Sequence, residues 1–391
     1  MESRPLNIGF VSVHAATDLF FYSGSNAAMR GALLDEPGVR LFDLDRLTNP
    51  MYPIFRAKQV AYWLSLRKRY WMNREPFVLR GYAKQVMRRA SAIGNLDFLL
   101  SPSSIPLAYY AGPIPTAIWP DATFAGLADF YPEATGLAAE TLRNGNRMEA
   151  ESLRNCSIAL YSSGWAAQTA ILGYGIDPSK VEVVPYGANL ETIPTGTEVA
   201  SAISSKPRRP LRLLFVGGDW WRKGGDIAVA ATESLVRRGL DARLDIIGSS
   251  PTAAVPSYAT IHGFLRKDRP EDCRQMARLF AQSHLLILPT RADCVPVVIA
   301  EACAYGVPTI ATNVGGISSA IQAGRTGQLM PPSSSPSDWA DAVEKIVAKP
   351  TELDRMGRAA RLFFESDLNW PTAVRKVVGL LRERWQLVRA V

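Results

Sequence analysis

The sequence has little of what metal sites, disulfide frameworks and membrane spans are made from. Its 391 residues include only four cysteines and three histidines, and their spacing fits neither a zinc site nor a disulfide framework. No stretch of about 18 uncharged apolar residues occurs, so we expect no membrane-spanning helix. The first residues carry no secretion signal. These absences favour a cytoplasmic protein with reduced thiols and no bound metal.

Acidic residues are also in the minority, and the formal net charge is +8. A basic balance favours anionic partners such as sugar nucleotides, acidic lipid surfaces or nucleic acid. The chain is too long for one hydrophobic core and predicts two domains. Apolar strand patterns alternate with helical patterns in both halves. This alternation predicts an α/β fold in which each half is a mostly parallel sheet between helices.

The Gly-x-Gly-x-x-Gly fingerprint of dinucleotide binding is missing as well. The first apolar strand pattern opens instead into a loop that ends in Tyr22-Ser-Gly-Ser, and a helical pattern follows. A loop between a strand and a helix presents backbone N–H groups to a ligand. Gly24 is therefore a candidate ligand contact, and a plain turn is the alternative.

Residues 51–90 contain almost no acidic side chains. Glu75 is the single acid against ten lysines and arginines, and eight aromatic residues are interleaved with them. Cationic and aromatic side chains together suit the headgroup layer of an anionic membrane. Peripheral membrane contact and a solvated basic helical surface are the two interpretations of this segment. Nucleic acid is not favoured as a partner, because no nucleic-acid motif accompanies the charges.

In the second half, a strand pattern over 211–218 leads into the loop Asp219-Trp-Trp-Arg-Lys-Gly-Gly. Two adjacent cations, Arg222 and Lys223, stand beside two glycines between a strand and a helix. The cations neutralise negative charge, and the glycines let the backbone come close to a ligand. The loop therefore predicts a diphosphate cradle, with a solvated Arg-Lys pair as the alternative.

Two carboxylates flank the start of a later helical pattern. Asp293 precedes the helix, Pro296 is expected at its first position, and Glu301 lies about a turn and a half inside. Gly306 is expected to end the helix. Both carboxylates then lie near the helix N-terminus, where free N–H groups hold phosphate. The alternative is that Asp293 only caps the helix and Glu301 is solvated.

The block from Asp293 to Glu301 resembles the E-x7-E signature of GT4-type retaining glycosyltransferases of the GT-B superfamily, with aspartate as the first acid. Residues 222–224 resemble the Arg-Lys-Gly loop of the same family, although Gly218 stands where a further basic residue is common. The resemblance covers nearly the whole chain and is strongest from 211 to 317. It implies a GT-B fold of two Rossmann-like domains facing across a cleft. The expected boundaries are an acceptor-binding domain over 1–190, a linker over 191–210, a nucleotide-sugar-binding domain over 211–365, and a C-terminal helix over 366–391 that packs back toward the first domain.

The resemblance implies metal-independent transfer of a sugar from a UDP- or GDP-linked donor to an acceptor hydroxyl on a glycan, glycolipid or small molecule. Lys223 and Arg222 are then expected at the diphosphate, Asp293 at the donor sugar and Glu301 at the ribose. Asp121, in the loop after the strand over 116–119, is expected to position the acceptor hydroxyl or accept its proton. A turn aspartate is the alternative for Asp121.

The remaining donor contacts implied by the resemblance lie on two loops. Phe264 and Leu265 are expected to line the nucleobase pocket, and packing at a strand end is the alternative for both. The others accompany Asp293 and Glu301 in their block: Cys294, Val295 and Val297. His284 is expected to be a core residue with satisfied hydrogen bonds rather than a catalyst.

Three other functions stay open on the same architecture. A sugar-nucleotide epimerase would turn over its substrate without an acceptor. A noncatalytic membrane-associated binding protein would keep the fold and lose the reaction. A nucleic-acid binder would use residues 51–90. We expect the protein in the cytoplasm, with residues 51–90 as the contact if it associates with the inner face of the membrane.

Overall fold

The computed structural model describes residues 4–248 and 256–389. The chain divides into two compact units. Unit 1 comprises Met1–Pro185 and Ala373–Val391, and unit 2 comprises Tyr186–Thr372. Each unit contains one six-stranded sheet, and every strand pair in the described residues runs parallel. The predicted α/β class with parallel sheets is confirmed.

In unit 1 the strands follow the order β2-β1-β3-β4-β5-β6 across the sheet. In chain order the elements are β1 (Leu6–Val11), α1 (Ser25–Asp35), β2 (Val39–Leu44), α2 (Tyr52–Leu66), α3 (Pro76–Ile93), β3 (Phe98–Ser101), β4 (Thr116–Ile118), α4 (Phe124–Leu127), α5 (Ala139–Asn155), β5 (Ile158–Tyr161), α6 (Gly164–Tyr174) and β6 (Val181–Val183).

In unit 2 the strand order is β12-β11-β10-β7-β8-β9. The elements are α7 (Gly196–Ser205), β7 (Leu211–Gly217), α8 (Trp220–Lys223), α9 (Gly225–Arg237), β8 (Ala242–Gly248), β9 (Ala259–Gly263), α10 (Pro270–Gln282), β10 (Leu285–Leu288), α11 (Val297–Ala304), β11 (Thr309–Thr312), β12 (Gly327–Met330), α12 (Pro336–Val347) and α13 (Pro350–Ser366). The last helix, α14 (Trp370–Arg389), begins in unit 2 and continues in unit 1.

Alternate residues of the central strands of unit 2 enter two different hydrophobic cores. Leu213 and Phe215 of β7 belong to one core, whereas Leu214 belongs to the other. Strand β10 divides in the same way, with Leu285 in the first core and Leu286 in the second. Successive side chains of a strand point to opposite faces, so both faces of this sheet are covered. That is why these strands are mostly apolar, with few polar residues such as Arg212, and do not alternate strictly between apolar and polar residues.

The segment 191–210, which is expected to be an interdomain linker, contains regular structure. It lies inside unit 2 and contains α7, which begins with a capping box formed by Thr195 and Glu198. Val199 and Ile203 are the buried residues of this helix. Two apolar residues one turn apart are too few to produce a recognisable hydrophobic period, which is why the pattern did not predict a helix.

None of the helices in residues 4–248 and 256–389 combines the length and the apolar character that crossing a bilayer requires.

Candidate active site

The loop after β7 is shaped by its glycines. Gly224 has φ +76°, and a Cβ there would lie 1.9 Å from the carbonyl oxygen of Pro289. A Cβ on Gly217 would lie 2.8 Å from Cβ of Lys223. Asp219 starts the short helix α8, because its Oδ1 accepts a hydrogen bond of 2.9 Å from the N–H of Arg222. Small residues at both positions therefore let Lys223 fold back beneath the end of its own strand.

This loop and the loop after β10 brace each other, because β7 and β10 are neighbouring strands. The N–H of Arg291 donates to the carbonyl oxygen of Arg222 at 2.7 Å, and Nη1 of Arg222 donates to that of Ala292 at 2.9 Å. Arg291 also makes two hydrogen bonds to the carboxylate of Asp226, at 2.9 and 2.8 Å. Its guanidinium lies 3.8 Å from the centre of the Trp221 ring. Residues 218–224 after β7 and residues 289–296 after β10 therefore support each other and form one surface, the platform.

Lys223 and Asp293 meet on this platform. Nζ of Lys223 contacts Oδ2 of Asp293 directly, and Nη1 of Arg222 lies 3.9 Å from the same oxygen. Asp293 is only 4% exposed, so its charge is screened little by water and depends on these cations. Nε of Arg222 also lies 3.9 Å from Oδ2 of Asp219, which is about half exposed. The two cations are therefore held beside carboxylates, and Lys223 has an acidic partner in the absence of a bound anion.

Glu301 lies on α11 and is also 4% exposed. Its Oε1 lies 2.6 Å from Nζ of Lys267, which is in the loop between β9 and α10. The interpretation of Glu301 as a solvated residue is therefore wrong. The sequence analysis missed Lys267, because a single lysine in a loop carries no pattern that would distinguish it.

The start of α11 differs from the prediction by one position. Pro296 has extended backbone angles and precedes the first helical residue instead of occupying it. No side chain caps this helix end, and the carboxylate of Asp293 contacts Lys223 instead. The interpretation of Asp293 as a simple helix cap is therefore wrong. Gly306 has φ +64° just beyond the end of α11, which confirms it as the predicted helix stop.

The other predicted donor residues of unit 2 differ in exposure. Phe264 is 65% exposed, whereas Leu265 is buried and belongs to a core cluster of the unit. The packing alternative therefore describes Leu265. Cys294 is fully buried, and two valines nearby are partly exposed, Val295 and Val297.

The predicted residues of unit 1 lie on the loops after β1 and β4. Gly24 has φ +82°, and a Cβ there would lie 3.0 Å from the carbonyl oxygen of Leu19, so the turn itself requires glycine. Asp121 is partly exposed in the loop after β4. Thr123, and not Asp121, caps α4, because its Oγ1 accepts from the N–H of Gly126 at 3.0 Å.

Unit 1 also contains a buried polar group that the sequence analysis missed. Oγ of Ser104 donates to Glu149 at 2.6 Å. Burial raises the pKa of Glu149 to about 7, and burial also lowers the pKa of Arg74. Oε1 of Glu149 and Nε of Arg74 have no hydrogen-bond partner among the described residues. Ser104 follows β3, and Phe124, whose ring centre lies 5.3 Å from the guanidinium of Arg74, follows β4, so the group lies at the carboxyl edge of the sheet.

His284 is a satisfied core residue, as predicted. Its Nδ1 accepts from the N–H of Arg212 at 3.0 Å, and its Nε2 lies 2.7 Å from the carbonyl oxygen of Pro207. Burial lowers the pKa of His284 to about 4. Within residues 4–248 and 256–389, no group of three or more His, Cys, Asp or Glu side chains is arranged to hold a metal ion.

Comparison with known proteins places this platform in a family. Residues 210–349 match the family described as Glycosyl transferases group 1. The D-inositol 3-phosphate glycosyltransferase of Gordonia bronchialis is 32% identical over 225 residues, which is 53% of this chain and 48% of that protein. Its counterpart in Paenarthrobacter aurescens is 30% identical over 209 residues, which is 51% of each chain. The chain spans about half the length of the curated relatives it matches.

Solved structures resemble this protein over nearly its whole length. The sucrose-phosphate synthase of Thermosynechococcus elongatus superposes with a TM-score of 0.70 at 17% identity, covering 99% of this chain and 100% of that one. HepE of Anabaena, solved with UDP and glucose, gives a TM-score of 0.63 at 13% identity, covering 97% and 100%.

The two parallel sheets and these likenesses define the GT-B fold. Residues 210–349, which lie in unit 2, match the group 1 glycosyltransferases, and this stretch contains both the Arg-Lys-Gly loop and the two acids on which the resemblance in the sequence depends.

Proposed function

We propose that the protein is a cytoplasmic, retaining and metal-independent glycosyltransferase. It moves a sugar from a UDP- or GDP-linked donor to an acceptor hydroxyl on a glycan, glycolipid or small molecule. The observation that carries the proposal is the contact between Lys223 and Asp293, with Arg222 beside them, on the platform at the edge of the second sheet. Retention rests on the family resemblance alone.

Lys223 and Arg222 bind the donor diphosphate in this mechanism. As the bond to the sugar breaks, negative charge grows on the leaving diphosphate, and two fixed cations stabilise it. The braced loops hold these cations in place before the reaction, so little reorganisation is needed when the charge develops. Lys223 exchanges part of its contact with Asp293 for a phosphate oxygen. The same charge neutralisation is what a metal ion would otherwise provide.

Asp293 accepts hydrogen bonds from hydroxyls of the donor sugar through Oδ2, the oxygen that Lys223 contacts before the diphosphate binds. Its side chain is shorter than the glutamate of the family signature, so it reaches less far toward the sugar. Glu301, held by Lys267, accepts hydrogen bonds from the ribose hydroxyls. Phe264 offers an exposed aromatic face for the base. The solved complex of Anabaena HepE with UDP-glucose supports a uridine donor for this chain as well.

Asp121 is the proposed positioning group for the acceptor. A partly exposed carboxylate after a parallel strand suits a hydroxyl that must lose its proton. The curated relatives bear the name D-inositol 3-phosphate glycosyltransferase, which makes inositol phosphates one class of acceptor to test.

The test combines calorimetry with a turnover assay on a panel of UDP- and GDP-sugars, with and without EDTA. We expect one donor to bind in EDTA and to release its nucleoside diphosphate faster when an acceptor is added. An isomerised nucleotide sugar formed without acceptor would instead identify an epimerase. Binding of no nucleotide sugar would overturn the proposal.

A further inference from the structure

Helix α2 turns its polar side toward the protein. None of its 15 residues is buried, and its inward face includes Lys58, Gln59 and Tyr62 at helical spacing. Nζ of Lys58 lies 2.8 Å from Glu75 and 2.7 Å from Glu140. The hydroxyl of Tyr62 donates to Glu140 at 2.7 Å. Phe55 on the same face packs against the hydrophobic core of unit 1. The helix is therefore attached to unit 1 by ion pairs and hydrogen bonds together with this apolar packing.

The outward side of α2 is apolar. Ile54 is 57% exposed and Leu64 is 65% exposed. Two further large apolar side chains on this side are exposed as well, Val60 and Trp63, and Leu66 is exposed at the C-terminal end of the helix. A helix that faces water normally shows the opposite distribution, with its apolar stripe toward the core. The next helix, α3, obeys the rule and buries Val78, Leu79, Tyr82, Ala83, Val86 and Ala90.

Exposed cations border this apolar surface. They include Arg56 on α2 and the consecutive residues Arg67, Lys68 and Arg69 at its C-terminal end. None of the four makes an ion pair with a described residue. Residues 51–74 contain no acidic side chain. The surface therefore offers apolar area and positive charge together, without compensation.

We propose that the α2 surface, defined as the outward side of α2 with residues 67–69, docks on an anionic lipid bilayer. The apolar side chains enter the boundary between headgroups and acyl chains, and the cations contact lipid phosphates. The segment 67–69 is held against the unit, since the N–H of Arg69 donates to the carbonyl oxygen of Gly136 at 3.0 Å. Its charges are thus presented at one end of the helix.

The charge distribution favours a bilayer over the other occupants. A second copy of this chain would bring the same cations face to face, and like charges repel. Nucleic acid would contact the cations and leave the apolar side chains exposed to water. An anionic bilayer satisfies both. This inference concerns binding and does not depend on the proposed transfer reaction.

The experiment measures co-sedimentation of the full chain with phosphatidylcholine vesicles that do or do not contain phosphatidylglycerol. We expect binding only to the anionic vesicles and weaker binding in high salt. The variant R67S/K68S/R69S should lose affinity on the order of a hundredfold, at roughly fivefold for each cation near an anionic surface. The variant I54S/L64S should also bind more weakly, because it removes apolar area.

Two matched variants control for charge and apolar area. R269S/R274S/R278S removes three exposed cations from unit 2, around α10, and L172S removes an exposed leucine from α6. Both controls should bind as the wild type does. The proposal is overturned if the wild type does not bind anionic vesicles, or if the controls lose as much affinity as the α2 variants. It is also overturned if light scattering shows that the wild type is a dimer and that the I54S/L64S substitutions dissociate it.

Discussion

Units 1 and 2 have the same six-stranded parallel architecture but place their charges differently. In unit 2 the charges at the carboxyl edge are paired across loops: Lys223 with Asp293, Lys267 with Glu301 and Arg291 with Asp226. In unit 1, Arg74 and Glu149 are buried, and each keeps one side-chain atom that has no hydrogen-bond partner among the described residues. The shared fold therefore does not determine the chemistry, which resides in the loops and surfaces each sheet carries.

Under the proposed function, unit 2 is prepared for a charged ligand before that ligand binds. Paired, buried charges on braced loops lose little freedom when a diphosphate replaces one partner. Polar atoms without partners, as at Arg74 and Glu149, carry a desolvation cost in the folded state. Substitutions of these charged residues of unit 2 should therefore act mainly on donor binding and turnover. Substitutions of Arg74 or Glu149 in unit 1 should act mainly on stability.

The largest expected effect comes from Lys223→Ala. Loss of the cation at the leaving diphosphate should lower kcat by about a hundredfold or more. The measurement is steady-state release of nucleoside diphosphate at saturating donor. Lys345→Ala, an exposed lysine on α12, is the control and should leave kcat unchanged. Equal kcat in both variants would exclude Lys223 from transition-state stabilisation.

Gly224→Ala should destabilise unit 2 by about 2 kcal/mol or more, because it combines a positive φ with a Cβ 1.9 Å from the carbonyl oxygen of Pro289. Urea unfolding measures the change. Gly218→Ala is the matched control, since a Cβ there meets nothing within 4 Å. If both variants unfold alike, the platform is less closely packed than described.

Glu301→Gln should weaken binding of the donor by about tenfold, because a neutral amide accepts weaker hydrogen bonds from the ribose than a carboxylate does. It also leaves Lys267 without an anionic partner. Calorimetry on the single variants and on Glu301→Gln with Lys267→Ala forms a double-mutant cycle. Fully additive losses would show that the ion pair does not support the ribose contact.

A pH dependence of stability is expected from Glu149. Its pKa is about 7 in the folded protein and near 4.5 when unfolded, so between these values the folded state holds a proton that the unfolded state has lost. Stability should therefore fall as pH rises from about 5 to 7, by roughly 1.4 kcal/mol for each pH unit, and stay level above. Urea unfolding of wild type and Glu149→Gln isolates the effect. If the free energy of unfolding of Glu149→Gln changed with pH as steeply as that of the wild type, the prediction would be contradicted.

Local patterns predicted much of the second half of the chain. The alternation of apolar runs and helical patterns predicted the parallel sheets, and Gly306 predicted the end of α11. The adjacent cations at 222 and 223, and the acids at 293 and 301, were recognisable because the members of each set are at most eight positions apart in the sequence. Spacing along a few residues was enough for these predictions.

The amino-acid order by itself determined the secondary-structure pattern and the types of chemistry available in each loop. Only the tertiary structure decided which charges meet, because pairing depends on which strands become neighbours. Lys223 and Asp293 are 70 residues apart and Lys267 and Glu301 are 34 apart, so no local pattern links them. The same reason applies to α2: its inward side is set by Glu75 and Glu140, and Glu140 lies 82 residues beyond Lys58.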